Sequence, residues 1–243
     1  MGLCSTTLNK GVKYETNYLL DWTDCSNRVF VEIIFLIHRR CYPFPGLTTG
    51  EFICEIKEEA MRKGKLEKAF TYLESGPVLL VTSHNGKKDN VMTISWHMVL
   101  DFTPRLAICT GSWNESFEII LRTKQCCLCV PAVDMIDQVV ALGTVHASEC
   151  DKFKHFHLKK QKPAVVKAPL IADCLAAVEC QVVDYVKKHN LFVLDGVQLW
   201  ENLLKKERRV IHANGDGTFF ADGKFFNFRK EMHSRLPQGV ERF

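Results

Sequence analysis

The stretch Asn90–His97 places two hydroxyl side chains where they could meet a ligand. Its β-branched and apolar residues predict a strand. Side chains alternate between the two faces of a strand, so Thr93 and Ser95 share one face and could present hydroxyls and main-chain amides to a polar ring. Trp96 and His97 fall on opposite faces. We predict a packing role for Trp96 and leave His97 open between packing and donation to a ligand.

The stretch Gly111–Ser116 predicts the start of a helix. Ser112 and Glu115 stand at the S-x-x-E spacing of a capping box. The apolar stripe that would bury this helix follows at Phe117, Ile119, Ile120 and Leu121. Free N–H groups beside the short polar side chains of Ser112, Asn114 and Ser116 would form an anion site. By spacing alone an ordinary capped helix is the commoner explanation, whereas the strand and helix together suit a planar polar ring with a phosphate tail.

The elements that must position these stretches are mainly β-strands. Further strands are predicted at Val78–Ser83, Leu106–Thr110, Cys126–Val130, Ala177–Tyr185, Leu191–Leu199, Val210–Ala213 and Thr218–Ala221. One helix is predicted to open at Asp134 and end at Gly143, and another to begin near Glu149. The stretch Phe52–Tyr72 also has a helical pattern, and because Gly64 weakens its middle, one helix and two short helices both stay open. Evenly spaced strands broken by a few helices are typical of a closed β-barrel.

Five motifs occur along the chain in an order that is more specific than any one of them. They are Gly76–Thr82, Asp89–Trp96, Asp101–Pro104, Gly111–Phe117 and Asp151–Phe153. Through this ordered set the run from Leu73 to Phe153 resembles the flavin reductase-like family, whose members bind FMN in a split β-barrel. The likeness extends more loosely to about Pro237.

The resemblance implies a fold, a cofactor and a set of contacts. The implied fold is mainly β with helical excursions, an FMN-binding split barrel over residues 55–240. The strand would hold the flavin ring, the helix start would hold the phosphate, and Trp113 and Phe117 would form pocket walls. The implied FMN-binding residues are Asn90, Met92, Thr93, Ile94, Ser95, Ser112, Trp113, Asn114, Ser116 and Phe117. No catalytic side chain is implied, because the flavin carries the redox chemistry.

The resemblance leaves two functions open, and it implies a homodimer. The first is an FMN-dependent oxidoreductase that accepts hydride from NADH or NADPH and passes electrons on. The second is a flavoredoxin-like electron carrier that works with a protein electron acceptor. A pyridoxamine-phosphate oxidase would need a basic cluster that the chain lacks. The segment His146–Cys150 replaces a Ser-Gly-Arg type of turn in relatives, which bears on nucleotide use more than on FMN binding.

The composition and the motifs of the chain argue against several other functions. The 32 basic and 28 acidic residues give a net charge of +4, and the scattered basic residues argue against nucleic-acid binding. Eleven cysteines, an odd number set among apolar residues without a visible signal peptide, favour a reducing, cytoplasmic location. Cys126–Cys129 has no second pair at zinc spacing, which predicts small core residues and no metal. No G-x-G-x-x-G follows a strand and no P-loop occurs.

Residues 1–54 fall outside the resemblance and are predicted to form an N-terminal extension of unknown role. The first six residues match the M-G-x-x-x-[ST] myristoylation pattern at Gly2, with Cys4 as a palmitoylation candidate. The apolar run Val29–Ile37 is too short for a bilayer, which needs about 20 residues. Proline and glycine residues over Pro43–Gly50 predict a linker.

Overall fold

The computed structural model describes residues 40–43, 52–55, 60–237 and Gly239. The chain divides into two compact units, residues 1–58 and residues 59–243. In the first unit, strand Arg40–Pro43 (β1) pairs antiparallel with strand Phe52–Glu55 (β2). The predicted boundary at residue 54 stays a prediction.

Several predictions for the N-terminal region lie outside the described residues. They concern Gly2, Cys4, the apolar run Val29–Ile37 and most of the linker, of which only Pro43, the last residue of β1, is described. No helix in the described part of the chain is long and apolar enough to cross a membrane.

The helix predicted over Phe52–Tyr72 is wrong for most of its length. Its described residues form β2, strand Arg62–Gly64 (β3), a 3-10 turn at Leu66–Lys68 and a short helix Ala69–Leu73 (α1). Long-range pairing overrides the helical pattern, because β3 lies against a strand more than 130 residues later, with Gly64 opposite Leu199. A side chain at Gly64 would displace the carboxylate of Glu201, which lies directly over this position.

An eight-stranded antiparallel sheet forms the body of the second unit. Besides β3 it contains Leu79–His84 (β4), Asp89–Ile94 (β5), His97–Val99 (β6), Arg105–Cys109 (β7), Gln125–Val130 (β8), Ala176–Val186 (β11) and Leu191–Glu201 (β12). Its order is β5-β4-β8-β11-β12-β7-β6, with β3 beside β12. Because β5 and β6 stand at opposite ends of that order and only Ser95 and Trp96 join them, the sheet curls into a half-barrel. This confirms the predicted split barrel, although no ladder between β5 and β6 closes it among the described residues.

Short elements fill the connections between the barrel strands. Strand Lys160–Gln161 (β9) pairs with Leu170–Ile171 (β10), and Ile211–Ala213 (β13) pairs with Phe219–Ala221 (β14). The longer helices are Glu115–Thr123 (α2) and Ile136–Thr144 (α3), and the shorter ones are Lys152–His155 (α4) and Arg229–Met232 (α5). Further 3-10 turns lie at Val133–Met135, Lys187–His189 and His233–Arg235.

Strand predictions hold to within about two residues, whereas helix ends are less accurate. The predicted strand Asn90–His97 is broken between β5 and β6. Helix α3 ends at Thr144, one residue after the predicted end at Gly143. The helix predicted near Glu149 begins at Lys152, because the side chain of Asp151 accepts the N–H groups of the following turn.

Two apolar clusters cover the two faces of the sheet. The interior cluster includes Met92, Phe117 and Phe192, and the exterior cluster packs α3 and α4 against the sheet through residues such as Val139 and Phe153. The cysteines of β8 are fully buried among them, which agrees with their predicted role as small core residues. Burial raises the pKa of Cys127, as expected for thiols in apolar surroundings.

Candidate functional site

Strand β5 has one main-chain edge that no described strand covers. The N–H of Val91 donates to its neighbour Asn90 Oδ1 at 2.8 Å, and the carbonyl of Val91 accepts from Lys152 Nζ at 3.0 Å. Both main-chain groups of Val91 therefore point away from β4. Alternate residues of an antiparallel strand direct their N–H and C=O to the same side, so those of Thr93 also face outward. This edge can offer a donor and an acceptor to a planar polar ligand.

The side chains along this edge differ in their exposure and in their hydrogen-bond partners. The hydroxyl of Thr93 donates to the carbonyl of Val139 on α3 at 2.8 Å, so it holds a helix in place. Ser95 follows the end of β5 and is exposed. Met92 is buried in the barrel interior and Ile94 packs against the same cluster. By the same alternation their main-chain groups face β4, so neither residue presents a polar group along the open edge.

The capping box predicted at Ser112 is wrong. Asn114 caps α2: its φ of −126° and ψ of 125° are extended, and its side chain accepts the N–H of Ser116 at 3.2 Å. Ser112 lies exposed in the preceding turn, which closes with a bond from the N–H of Asn114 to the carbonyl of Gly111. The turn moves the first helical residue to Glu115. An exposed serine just before a helix start is open to a ligand.

The carboxylate of Glu115 binds a different segment and not Ser112. Its carboxylate accepts the N–H of Ala147 at 2.6 Å and that of Ser148 at 3.3 Å. These residues belong to His146–Cys150, the segment in which the chain departs from the family pattern. The departing segment is thus held against the first turn of α2, beside the candidate site.

A buried hydrogen bond joins the start of β5 to the start of α2. Asn90 Nδ2 donates to Ser116 Oγ at 3.0 Å, and the side chain of Ser116 has no exposed surface. Ser83 stands directly opposite Asn90 in the β4–β5 register. Its hydroxyl is buried and has no hydrogen-bond partner among the described residues. An unsatisfied buried hydroxyl at this junction fits a site that a water or a polar ligand completes.

Trp113 and Phe117, both predicted as pocket walls, lie in different surroundings. The indole of Trp113 is 60% exposed and rests on Gly111, where any side chain would collide with it. Phe117 instead packs in the barrel interior, with ring centroids 5.7 Å from Tyr185 and 5.6 Å from Phe192. Trp113 therefore borders the candidate site, while Phe117 belongs to the core.

Trp96 is exposed, whereas His97 is partly buried. The packing role predicted for Trp96 is wrong: the side chain is 63% exposed, because it lies in the break between β5 and β6, where no element covers it. His97 Nε2 donates to the carbonyl of Pro77 at 2.6 Å, while its Nδ1 is buried without a partner among the described residues. Burial lowers the pKa of His97 despite this hydrogen bond. These contacts favour packing over ligand contact.

Lys152 lies beside the candidate site, although it is not among the residues predicted from the sequence. It belongs to the motif Asp151–Phe153, yet nothing in its spacing indicated a buried ammonium. The residue is 7% exposed, and its Nζ donates to Val91 O at 3.0 Å and to Leu142 O at 3.2 Å. Desolvation lowers the pKa of Lys152. A cation therefore lies directly against the open edge of β5.

Taken residue by residue, these features fit FMN. The edge of β5 suits the polar margin of the ring. The exposed Ser112 and the helix start suit the phosphate-bearing tail, and Lys152 suits a ligand that carries negative charge. No group of three or more metal-binding side chains occurs in the described ranges.

Comparisons with known proteins identify the family and the fold of this chain. The family described as "Flavin reductase like domain" matches residues 72–221, more than half of the chain. An uncharacterized protein of Archaeoglobus fulgidus is 28% identical over 152 residues, covering 61% of this chain and 77% of that protein. The uncharacterized protein YddH of Escherichia coli is 26% identical over 181 residues, covering 66% and 94%.

Two solved structures show the same fold. An FMN-binding domain of a flavin reductases-like enzyme from Shewanella baltica superposes with a TM-score of 0.64 at 23% identity, covering 69% of this chain and 96% of that one. Flavoredoxin of Desulfovibrio vulgaris superposes with a TM-score of 0.57 at 16% identity, covering 63% and 89%.

Proposed function

Since this chain belongs to the flavin reductase-like family, we propose that it is an FMN-binding oxidoreductase that accepts hydride from NADH or NADPH and passes electrons on. The observation that carries the proposal is the Asn90–Ser116 hydrogen bond, which brings the open edge of β5 beside the start of α2. A ring-binding edge and an anion-binding helix start side by side suit a phosphorylated flavin.

In this proposal the protein supplies position and polarity. The main chain of Thr93 and the exposed Ser95 would hold the ring margin. Ser112 and the helix start capped by Asn114 would hold the phosphate, with Trp113 as a wall. Bound FMN supplies the redox chemistry, because its ring takes up a hydride. No side-chain acid or base is required.

Not all of the residues implied by the family likeness contribute equally here. Asn90 and Ser116 satisfy one another within the fold, so they shape the junction. Met92, Ile94 and Phe117 face the barrel interior and support the site by packing. We assign direct contact with FMN to the exposed or edge-facing members of the set.

A second function, electron transfer to a protein partner, has one observation in its favour. The exposed side chains of Trp96, Met98 and Leu100 alternate along and beside β6, at the point where β5 ends. Solvent-exposed apolar side chains of this size are common in protein-binding surfaces. Under this alternative the flavin would exchange electrons with a docked protein and would oxidise NAD(P)H slowly.

Anaerobic mixing separates the two functions. The FMN-loaded protein is mixed with NADH and with NADPH while the flavin absorbance is followed. The oxidoreductase proposal expects rapid bleaching with at least one of the two. Bleaching that is no faster than that of free FMN would leave the electron carrier as the function.

We also propose a homodimer and a cytoplasmic location. The homodimer follows from the family likeness, and light scattering on the purified full chain tests it. The location is supported by the seven cysteines within residues 60–237, which are all free thiols. Fractionation of cells that produce the protein tests the location.

A further inference from the structure

Lys152 occupies a position that is costly for a cation. Its side chain is buried at the start of α4, and both described partners of its Nζ are neutral main-chain carbonyls, those of Val91 and Leu142. An ammonium group has three N–H donors, whereas the described residues provide two acceptors. Burying a charge is unfavourable unless an opposite charge lies nearby.

No described carboxylate forms an ion pair with this ammonium. Glu115 and Glu149 attract it only at longer range. The oxygens of Glu115 are already engaged by the N–H groups of Ala147 and Ser148. The protein therefore holds a buried positive charge whose compensation is incomplete.

The surroundings of Lys152 show where a compensating charge would lie. Its Nζ contacts the carbonyl of Val91, one of the two Val91 groups that face outward from β5. Thr93 lies two residues further along the same edge. Two residues of a strand span about 7 Å, which is within the screening length of about 8 Å at physiological ionic strength. The ammonium thus acts on any ligand that binds along this edge.

We infer that Lys152 is a positioning residue of the flavin site, whose charge favours the reduced and more negative form of the cofactor. This inference rests on the proposed function. A hydride carries two electrons and one proton, so its transfer from reduced nicotinamide adds one negative charge to oxidised FMN. A nearby buried cation stabilises the product of that transfer more than the oxidised cofactor.

A purely structural role predicts a different result. If Lys152 only tied β5 to α3 through two carbonyls, its loss would disturb both forms of the cofactor equally. The ratio of the dissociation constants of reduced and oxidised FMN separates the two roles. Loss of the charge changes this ratio, whereas a change in the shape of the site affects both constants equally and leaves the ratio unchanged.

The test compares Lys152→Met with Lys154→Met on the full chain. Methionine keeps most of the buried stem and removes the charge, while Lys154 is exposed two residues away and serves as the matched control. The dissociation constants of oxidised FMN and of dithionite-reduced FMN are measured anaerobically. We expect Lys152→Met to weaken reduced FMN at least tenfold more than oxidised FMN. For a two-electron couple this lowers the potential of the bound cofactor by about 30 mV.

The control should change that ratio less than twofold, because an exposed charge is screened. Equal weakening of both forms by Lys152→Met, or no weakening, overturns the inference. If that variant does not fold by circular dichroism, Lys152→Gln, which keeps N–H donors without the charge, is measured in the same way. Failure of the unmodified chain to bind FMN would remove the proposed function itself. Binding with an unchanged ratio removes only the role of Lys152.

Discussion

Asn90 Nδ2 donates a hydrogen bond to Ser116 Oγ at 3.0 Å, and both side chains are buried. The bond joins the first part of β5 to the first turn of α2 across 26 residues of sequence. It holds the strand edge and the helix start at the spacing on which the proposed flavin site depends.

Ser116→Ala should destabilise the fold, because it leaves Asn90 Nδ2 buried without an acceptor. An unsatisfied buried donor costs roughly 1–3 kcal/mol. We expect the free energy of unfolding in urea to fall by about that amount. Ser112→Ala, at an exposed serine of the same segment, should leave it unchanged. A Ser116→Ala protein as stable as the wild type would show that the bond is dispensable.

Ser112→Ala should weaken the binding of FMN by about tenfold or more and leave the binding of riboflavin nearly unchanged. A hydrogen bond to a charged group contributes roughly 1.5–3 kcal/mol, and about 1.4 kcal/mol is one decade in affinity. Riboflavin has the same ring without the phosphate. Fluorescence titration with both flavins measures the contrast, and Ser234→Ala, at an exposed serine in the turn His233–Arg235, is the control. Equal losses for the two flavins would remove Ser112 from the phosphate site.

Gly111→Ala should weaken the binding of FMN, because it displaces the indole of Trp113. A methyl group at position 111 collides with that ring. The matched measurement repeats the change in a Trp113→Ala background, where no ring is left to displace. We expect the loss of FMN affinity caused by Gly111→Ala to shrink there to within about twofold, since coupling appears between residues in contact. An identical loss in both backgrounds would show that Trp113 is not involved.

The stability of the protein should fall on acidification partly through His97. Its folded-state pKa lies below the ordinary value of 6.5, so the unfolded chain binds the proton more readily. The contribution of neutral His97 to the free energy of unfolding is fully present above about pH 6.5. It is lost as the pH falls through the folded-state pKa. His97→Gln keeps a donor for the carbonyl of Pro77 but does not titrate in this range. Urea unfolding at several pH values should therefore show a shallower acid slope for the variant, and equal slopes would contradict this assignment.

Local patterns in the sequence predict much of the barrel but little of its helix caps. Alternation along β5 correctly separates Thr93 from the buried Met92, because that pattern depends on the pleat alone. The cap fell to Asn114 and not to Ser112, because a preceding turn fixes where the helix begins. A spacing rule contains no information about that turn.

Long-range contacts explain what the sequence could not reveal. The ammonium of Lys152 donates to the carbonyl of Val91, 61 residues earlier, so a lysine that reads as a surface residue is buried beside β5. In the same way β3 is a strand because it pairs with β12, although its residues have a helical pattern. Both outcomes are decided by tertiary packing, which overrides local preference.

Equilibrium dialysis of the full chain against FMN tests the central claim most directly. We expect one FMN to bind per chain, with a dissociation constant well below tens of micromolar, and the protein to become yellow. Absence of FMN binding at tens of micromolar, by a chain that is folded by circular dichroism, would contradict the proposed flavin site and the function built on it.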